Sequence, residues 1–218
     1  MDGFGPAWAG HMDRLEAVWG TLVRPDDTVV IAGDIDWGLR PADAMFTLRR
    51  LESWNGSKVL VRGNHDYWWS SKSTNQIRKT LPPGIRLIHN DSITVEDVNI
   101  CGCKGSPIPG SMDWTPNNEK LLQRELHRLR LSLDSRLAEL DTIAAIHYPP
   151  FYANLGSSPY KLMLEEYGVR ACAYGHLHGD AACSGPKGSI GGVEYRLVAG
   201  DYVNFTPVPL WDGSLVTG

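Results

Sequence analysis

Short apolar runs recur along this chain, and four of them end in a polar side chain able to hold a metal or a proton. Residues 28–32 lead into Gly33-Asp34, and residues 58–61 lead into Arg62-Gly63-Asn64-His65-Asp66. Residues 142–146 stop at His147-Tyr148-Pro149-Pro150, and residues 171–174 at Gly175-His176-Leu177-His178. Runs this short, bounded by turn signals, suit buried strands. Between them the apolar spacing changes. Residues 41–54 carry Ala44, Leu48 and Leu51 at helical intervals, with Pro41 suited to a first helical turn. A second helix over 71–81 is stopped by Pro82-Pro83-Gly84.

Residues 85–88, 92–95 and 98–101 read as further short strands, the last two turning at Glu96-Asp97. A loop rich in Gly, Pro and Ser over 102–116 leads to the longest expected helix, 117–140. There Leu122, Leu126, Leu129, Leu133, Leu137 and Leu140 form one stripe, read as a helix covering a sheet face in preference to a dimer seam. A helix over 159–167 and strands over 193–199 and 207–210 complete the pattern. This alternation predicts a layered α/β fold, taken as one domain over residues 1–218. Asp34 and Asn64 are separated by one strand–helix–strand unit, as are His147 and His176, and such a unit takes about thirty residues. Each pair should therefore sit at the same end of neighbouring parallel strands, where ligands collect in open α/β sheets.

Composition narrows the classes. The 218 residues are 42% hydrophobic, enough for a large core, and carry a net charge of −4. That charge favours neither nucleic acid nor an anionic membrane as a partner. No apolar run is long enough to span a bilayer, and no secretory leader is evident at the start. The four cysteines lack C-x-x-C spacing. Cys101 and Cys172 lie in apolar runs and read as reduced core residues of a cytoplasmic protein, and Cys101-Gly102-Cys103 as strand packing.

Asp34, Asn64, His147, His176 and His178 make a mixed oxygen and nitrogen donor set, which suits manganese, iron or zinc better than calcium. A carboxylate with two oxygens can bridge two ions, and Asp34 is the candidate. A pair of ions about 3.5–4 Å apart clamps the attacking and leaving oxygens at phosphorus and lowers the pKa of bound water. His65 would face the substrate, donating a proton to the leaving oxygen or stabilising phosphoryl charge, and Asp66 would orient its ring. Singly, each residue has an ordinary explanation in a turn or a core. Together, five such side chains at buried strand ends would carry a large desolvation cost without an ion. His11, His89 and His127 read as surface or packing residues.

These segments, Gly33-Asp34-Ile35-Asp36-Trp37, Gly63-Asn64-His65-Asp66, His147 and Gly175-His176-Leu177-His178, resemble the signature of the calcineurin-like metallophosphoesterases. Tyr67-Trp68-Trp69, His147-Tyr148-Pro149-Pro150-Phe151 and Phe4-Gly5-Pro6 are similar to its bacterial predicted-phosphohydrolase branch. The resemblance implies a four-layer α/β/β/α sandwich with two metal ions between strand ends. By it, Asp34 bridges, Asn64, His147 and His176 complete one site, His178 serves the other, and His65 is the acid. It also implies an opening strand ending in Asp-x-His, a motif found nowhere before Asp34. The expectation is that such a strand is encoded upstream of Met1, and that the chain as given holds at most one tight ion. Asp2, His11 and Asp13 are weak candidates to replace the absent ligands.

The expected function is metal-dependent hydrolysis of phosphomonoesters or phosphodiesters, with a small phosphoester or nucleotide-type substrate. The alternative is a non-catalytic or single-metal scaffold of the same fold. A third reading takes Tyr67-Trp68-Trp69 and Trp114 as an aromatic platform for a nucleobase, against the plainer view that they pack the site wall.

Overall fold

The structure is a computed structural model and describes residues 6–111, 113–152 and 156–216. Its strands form two sheets. β1 (Thr28–Ile31), β2 (Ser57–Leu60) and β3 (Ile85–Leu87) make a parallel three-stranded sheet in that order. The second sheet runs β4-β5-β6-β7-β9-β8, from β4 (Ile93–Val95), β5 (Val98–Cys103), β6 (Asp141–Ile146), β7 (Ala171–Tyr174), β8 (Gly188–Ile190) and β9 (Val193–Leu197). β5, β6, β7 and β9 are parallel, and antiparallel β4 and β8 close the two edges.

Strand alternation explains why the sheets stack. Val59 on β2 and Val61 just past its end belong to the core between the sheets, whereas Leu60 belongs to the core under the first helices. On β6, Ile143 and Ala145 face the inner core, and Ala144 and Ile146 the opposite one. Successive side chains point to opposite faces of a strand, so a fully apolar strand must be covered on both sides. α1 (His11–Leu22), α2 (Pro41–Glu52) and α3 (Thr74–Arg78) cover the smaller sheet through Trp19, Leu48, Leu51 and Ile77. α4 (Glu119–Asp134) and α5 (Pro159–Glu166) cover the larger sheet through Leu122, Leu129, Leu133, Tyr160 and Leu164. The result is the expected four-layer α/β/β/α sandwich. Each fully buried Leu in it contributes roughly 1.5–3 kcal/mol.

The leucine stripe faces the sheet, as expected, but over a shorter helix. α4 ends at Asp134 and Leu137 is 47% exposed. The backbone beyond the helix is taken up by Asn99 of β5, whose amide bonds both the N–H and the C=O of Leu137. The helix expected over 71–81 is also reduced, to Thr74–Arg78. Residues 207–210 form no strand, and only an isolated Trp211–Leu215 bridge lies in that tail. Helix α1 was not anticipated, although Met12, Leu15 and Trp19 carry its spacing and all pack on the first helical core. α6 (Asp180–Cys183) and β8 were also unforeseen. Among the described residues no strand precedes β1, and no helix is long and apolar enough to cross a membrane.

One packing histidine gives a stability prediction. Burial, helped by the nearby Arg128 and Arg78 charges, pushes His89 down to about 4. The folded protein therefore holds His89 neutral where an unfolded chain, at about 6.5, would bind a proton. This contribution is complete above pH ~6.5 and is lost as pH falls toward ~4. Melting curves of the metal-free protein should shift down between those values, and His89→Gln should remove part of the shift. An identical pH profile in the variant would refute this.

Candidate metal centre

The parallel registers place the ends of β1 and β2 side by side, and likewise the ends of β6 and β7. Beyond those ends the chain makes turns that only small or polar residues allow. Gly33 (φ 96°) and Asp34 (φ 56°) both adopt left-handed backbone, as does His176 (φ 70°). A Cβ on Gly63 would lie 2.0 Å from Asp34 Oδ1, so glycine is required for the two loops to touch.

Asp66 holds this geometry together. Its carboxylate is fully buried and accepts from the backbone N–H of Gly63 at 2.7 Å, Asp34 at 2.9 Å, Ile35 at 2.8 Å and Asp36 at 3.1 Å. Trp68 Nε1 donates a fifth bond at 3.0 Å. Burial pushes this carboxyl up to about 6, although the backbone bonds pull the other way. The expected role of Asp66, orienting His65, is therefore corrected: its oxygens are spent on the backbone of the β1 loop, on Gly63 and on Trp68. Asp66→Ala would strand several buried N–H groups, at roughly 1–3 kcal/mol each. A loss of at least about 3 kcal/mol in a urea titration is expected, and a loss under ~1 kcal/mol would refute the assignment.

Four of the five expected donors converge. Asn64 Oδ1 lies 2.7 Å from His147 Nε2 and 3.0 Å from His176 Nδ1. The two ring nitrogens are 3.3 Å apart, and Asp34 Oδ2 is 3.5 Å from His147 Nε2. Taken by His, Cys, Asp and Glu alone, no group of three could hold an ion among the described residues. The Asn64 carbonyl is what joins the two imidazoles.

His147 Nδ1 faces the Ala32 carbonyl at 2.9 Å, so that nitrogen carries the hydrogen and donates. Burial pushes His147 down to about 4, leaving the ring neutral with an Nε2 lone pair turned inward. His176 donates outward from Nε2 to Asp113 Oδ2 at 3.2 Å. Burial lowers its pKa against the pull of Asp113, so its Nδ1 lone pair also points inward. With both rings neutral and their hydrogens turned outward, Asp34 Oδ2, Asn64 Oδ1, His147 Nε2 and His176 Nδ1 converge as four possible ligand atoms. Ligands bound at about 2.0–2.2 Å to a tetrahedral or octahedral ion stand roughly 2.8–3.6 Å apart, close to the spacings here. The donor chemistry and spacing fit a divalent ion of the manganese, iron or zinc kind.

His178 joins a different group. Its Nδ1 donates to Asp201 Oδ1 at 2.9 Å, and Asp201 Oδ2 accepts from the Gly179 N–H. Burial would raise the Asp201 pKa, yet those hydrogen bonds outweigh it and hold the carboxylate low. Trp8 meets the His178 ring edge-on at 5.2 Å. Of the weak substitutes, Asp13 pairs with Arg50 and His11 faces the Trp8 carbonyl, whereas Asp2 lies outside the described residues, as do Phe4 and Gly5.

His65 stands beside the cluster, its backbone N–H donating to Asp34 Oδ1 at 2.9 Å. Its ring stacks on Trp37, and its Nδ1 lies 2.8 Å from Tyr67 Oη. The aromatic-platform reading is corrected for Trp68 and Trp69, which are buried in the core with their indole N–H groups bonded to Asp66 and Thr74. Trp114 is partly buried against the other helical core. Asp113 and Asp201 were not singled out in the sequence, and Trp37 entered only within the segment 33–37, with no role given to it.

The fold is thus a two-sheet α/β sandwich that carries a convergent set of oxygen and nitrogen donors at its strand ends. The model of the calcineurin-like phosphoesterase family matches residues 8–180, and the chain belongs to that family. The same fold appears in the crystal structure of a phosphopantetheinyl hydrolase from Mycobacterium tuberculosis. That protein is 14% identical, with a TM-score of 0.59 over 94% of this chain and 96% of the other. No curated protein matches the sequence.

Proposed function

We propose that this chain hydrolyses phosphomonoesters or phosphodiesters with the help of a divalent ion held by Asp34, Asn64, His147 and His176. The observation that carries the reading is the inward convergence of these four ligand atoms from four different loops. Bound there, a divalent cation supplies Lewis acidity toward a phosphoryl oxygen and lowers the pKa of bound water. The chain's own residues do the rest. Asp34 contributes the one formal negative charge among the four donors and ties His65 to the site through its backbone. His147 and His176 hold their N–H groups on Ala32 and Asp113, which keeps both lone pairs aimed inward. His65 supplies the proton for the leaving oxygen. The substrate is a small phosphoester. A cytoplasmic setting accords with four cysteines that are all free.

The test is elemental analysis of the full chain after loading with manganese, iron or zinc, together with hydrolysis of mono- and bis-nitrophenyl phosphate. One tightly held ion is expected, with turnover that a chelator removes and the metal restores. Two equivalents would overturn the single-ion part. Metal uptake without hydrolysis of any ester would favour a scaffold, and no uptake at all would overturn the reading.

A further inference from the structure

We propose that Tyr67 and Trp37 are positioning residues for His65, a claim that rests on the phosphoesterase reading above. Together they fix Nε2 as the nitrogen that delivers the proton. The turn after Gly63 sends neighbouring side chains to different environments. Asp66 and Trp68 are buried, whereas Tyr67 is 48% exposed beside the partly buried His65. Asp66 also bonds the Asp36 N–H, so the loop that carries Trp37 is anchored on the same carboxylate. The outcome is a defined seat for one imidazole. Trp37 stacks on it with centroids 4.5 Å apart and planes inclined by 24°, which sets the plane of the ring. Tyr67 Oη, 2.8 Å from Nδ1, sets its rotation within that plane.

The chemistry of an acid assigns the direction of this bond. The oxygen of an attacking water bonds to phosphorus, and a proton of that water passes to solvent. The ester P–O bond breaks and its electron pair stays on the leaving oxygen, which takes a proton from His65. The imidazole must then remain as a stable neutral ring, so the nitrogen that keeps its hydrogen cannot be the one that donated. Nδ1–H donating to Tyr67 Oη provides this: Nδ1 stays protonated throughout, and Nε2 loses a proton and regains one from solvent. The arrangement also explains why two large rings, Trp37 at 42% and Tyr67 at 48% exposure, stand in solvent instead of in the core.

Tyr67→Phe removes the hydroxyl and keeps the ring. It should slow hydrolysis of phenyl and alkyl phosphates about 5–10-fold, the worth of one hydrogen bond realised in the transition state. 4-Nitrophenyl phosphate, whose leaving group needs little protonation, should be nearly unaffected, and KM, metal content and melting temperature should hold. Trp37→Ala should show the same selective loss, and Trp37→Phe, which keeps a stacking ring, should recover most of the lost rate. A purely structural role would slow both esters alike. Independently of turnover, nitrogen NMR of the histidine-labelled metal-free chain should find His65 in the Nδ1–H form, with Nε2–H appearing in Tyr67→Phe. His65→Ala identifies the signal and separates the two claims. If His65→Ala is not itself selective for poor leaving groups, the acid assignment fails. If it is selective and Tyr67→Phe is not, or if wild-type His65 carries its hydrogen on Nε2, the positioning role alone is overturned.

Discussion

Asp34→Asn should abolish tight metal binding and phosphoester hydrolysis together. Among the four convergent donors only Asp34 carries a formal charge, since Asn64 is an amide and burial keeps His147 neutral. Substitution by the amide leaves the cluster without that charge. It can also place N–H donors opposite a His147 nitrogen that needs a cation or a proton. Loss of a partner that merely orients a ligand costs about 10–100-fold in affinity or activity, so loss of the charged ligand itself should exceed ~100-fold in both. The fold should survive, because a side-chain oxygen can still accept the His65 N–H that Asp34 Oδ1 accepts now. Isothermal titration with manganese or zinc, run beside an ester assay, checks both effects on one sample. Retained affinity with lost turnover would show that Asp34 acts on the substrate and not on the ion.

His65→Ala should behave in the opposite way. The side chain makes its contacts with Trp37 and Tyr67, and its link to Asp34 runs through the backbone, which alanine keeps. Metal content should therefore equal wild type while turnover on alkyl and phenyl esters falls by about 10²–10⁴-fold, the worth of a positioned general acid. The fall should be much smaller on nitrophenyl esters. If the variant also loses its metal, His65 belongs to the donor set and the division of roles is wrong.

The corrections to the sequence reading follow one physical pattern. His65 and Asp66 are adjacent, and a carboxylate next to an imidazole is a reasonable orienting pair on paper. The turn sends the two side chains in opposite directions, so Asp66 meets the backbone of the β1 loop and His65 meets Tyr67 and Trp37. Trp68 and Trp69 failed as a platform for the same reason, since a run of aromatics does not state which rings face the core. Likewise the leucine spacing past Asp134 continued on paper, while Asn99 had already captured the chain.

By itself, then, the pattern along the chain determined a layered α/β fold and which polar side chains would meet at its strand ends. The four-layer plan came with the family resemblance. Apolar runs, side-chain alternation and crossover length are local properties, and they were enough to bring Asp34 beside Asn64 and His147 beside His176. The tertiary structure alone decided how those donors aim. Asp113 and Asp201, which hold His176 and His178, come from segments 63 and 23 residues away. The positive φ angles of Asp34 and His176, and the close approach of Gly63 to Asp34, exist only where two loops press on one another. Strand formation depends on neighbours along the chain. The direction of a side chain beyond a strand end depends on whichever distant group satisfies its hydrogen bonds, and that partner is chosen only once the sheets have packed.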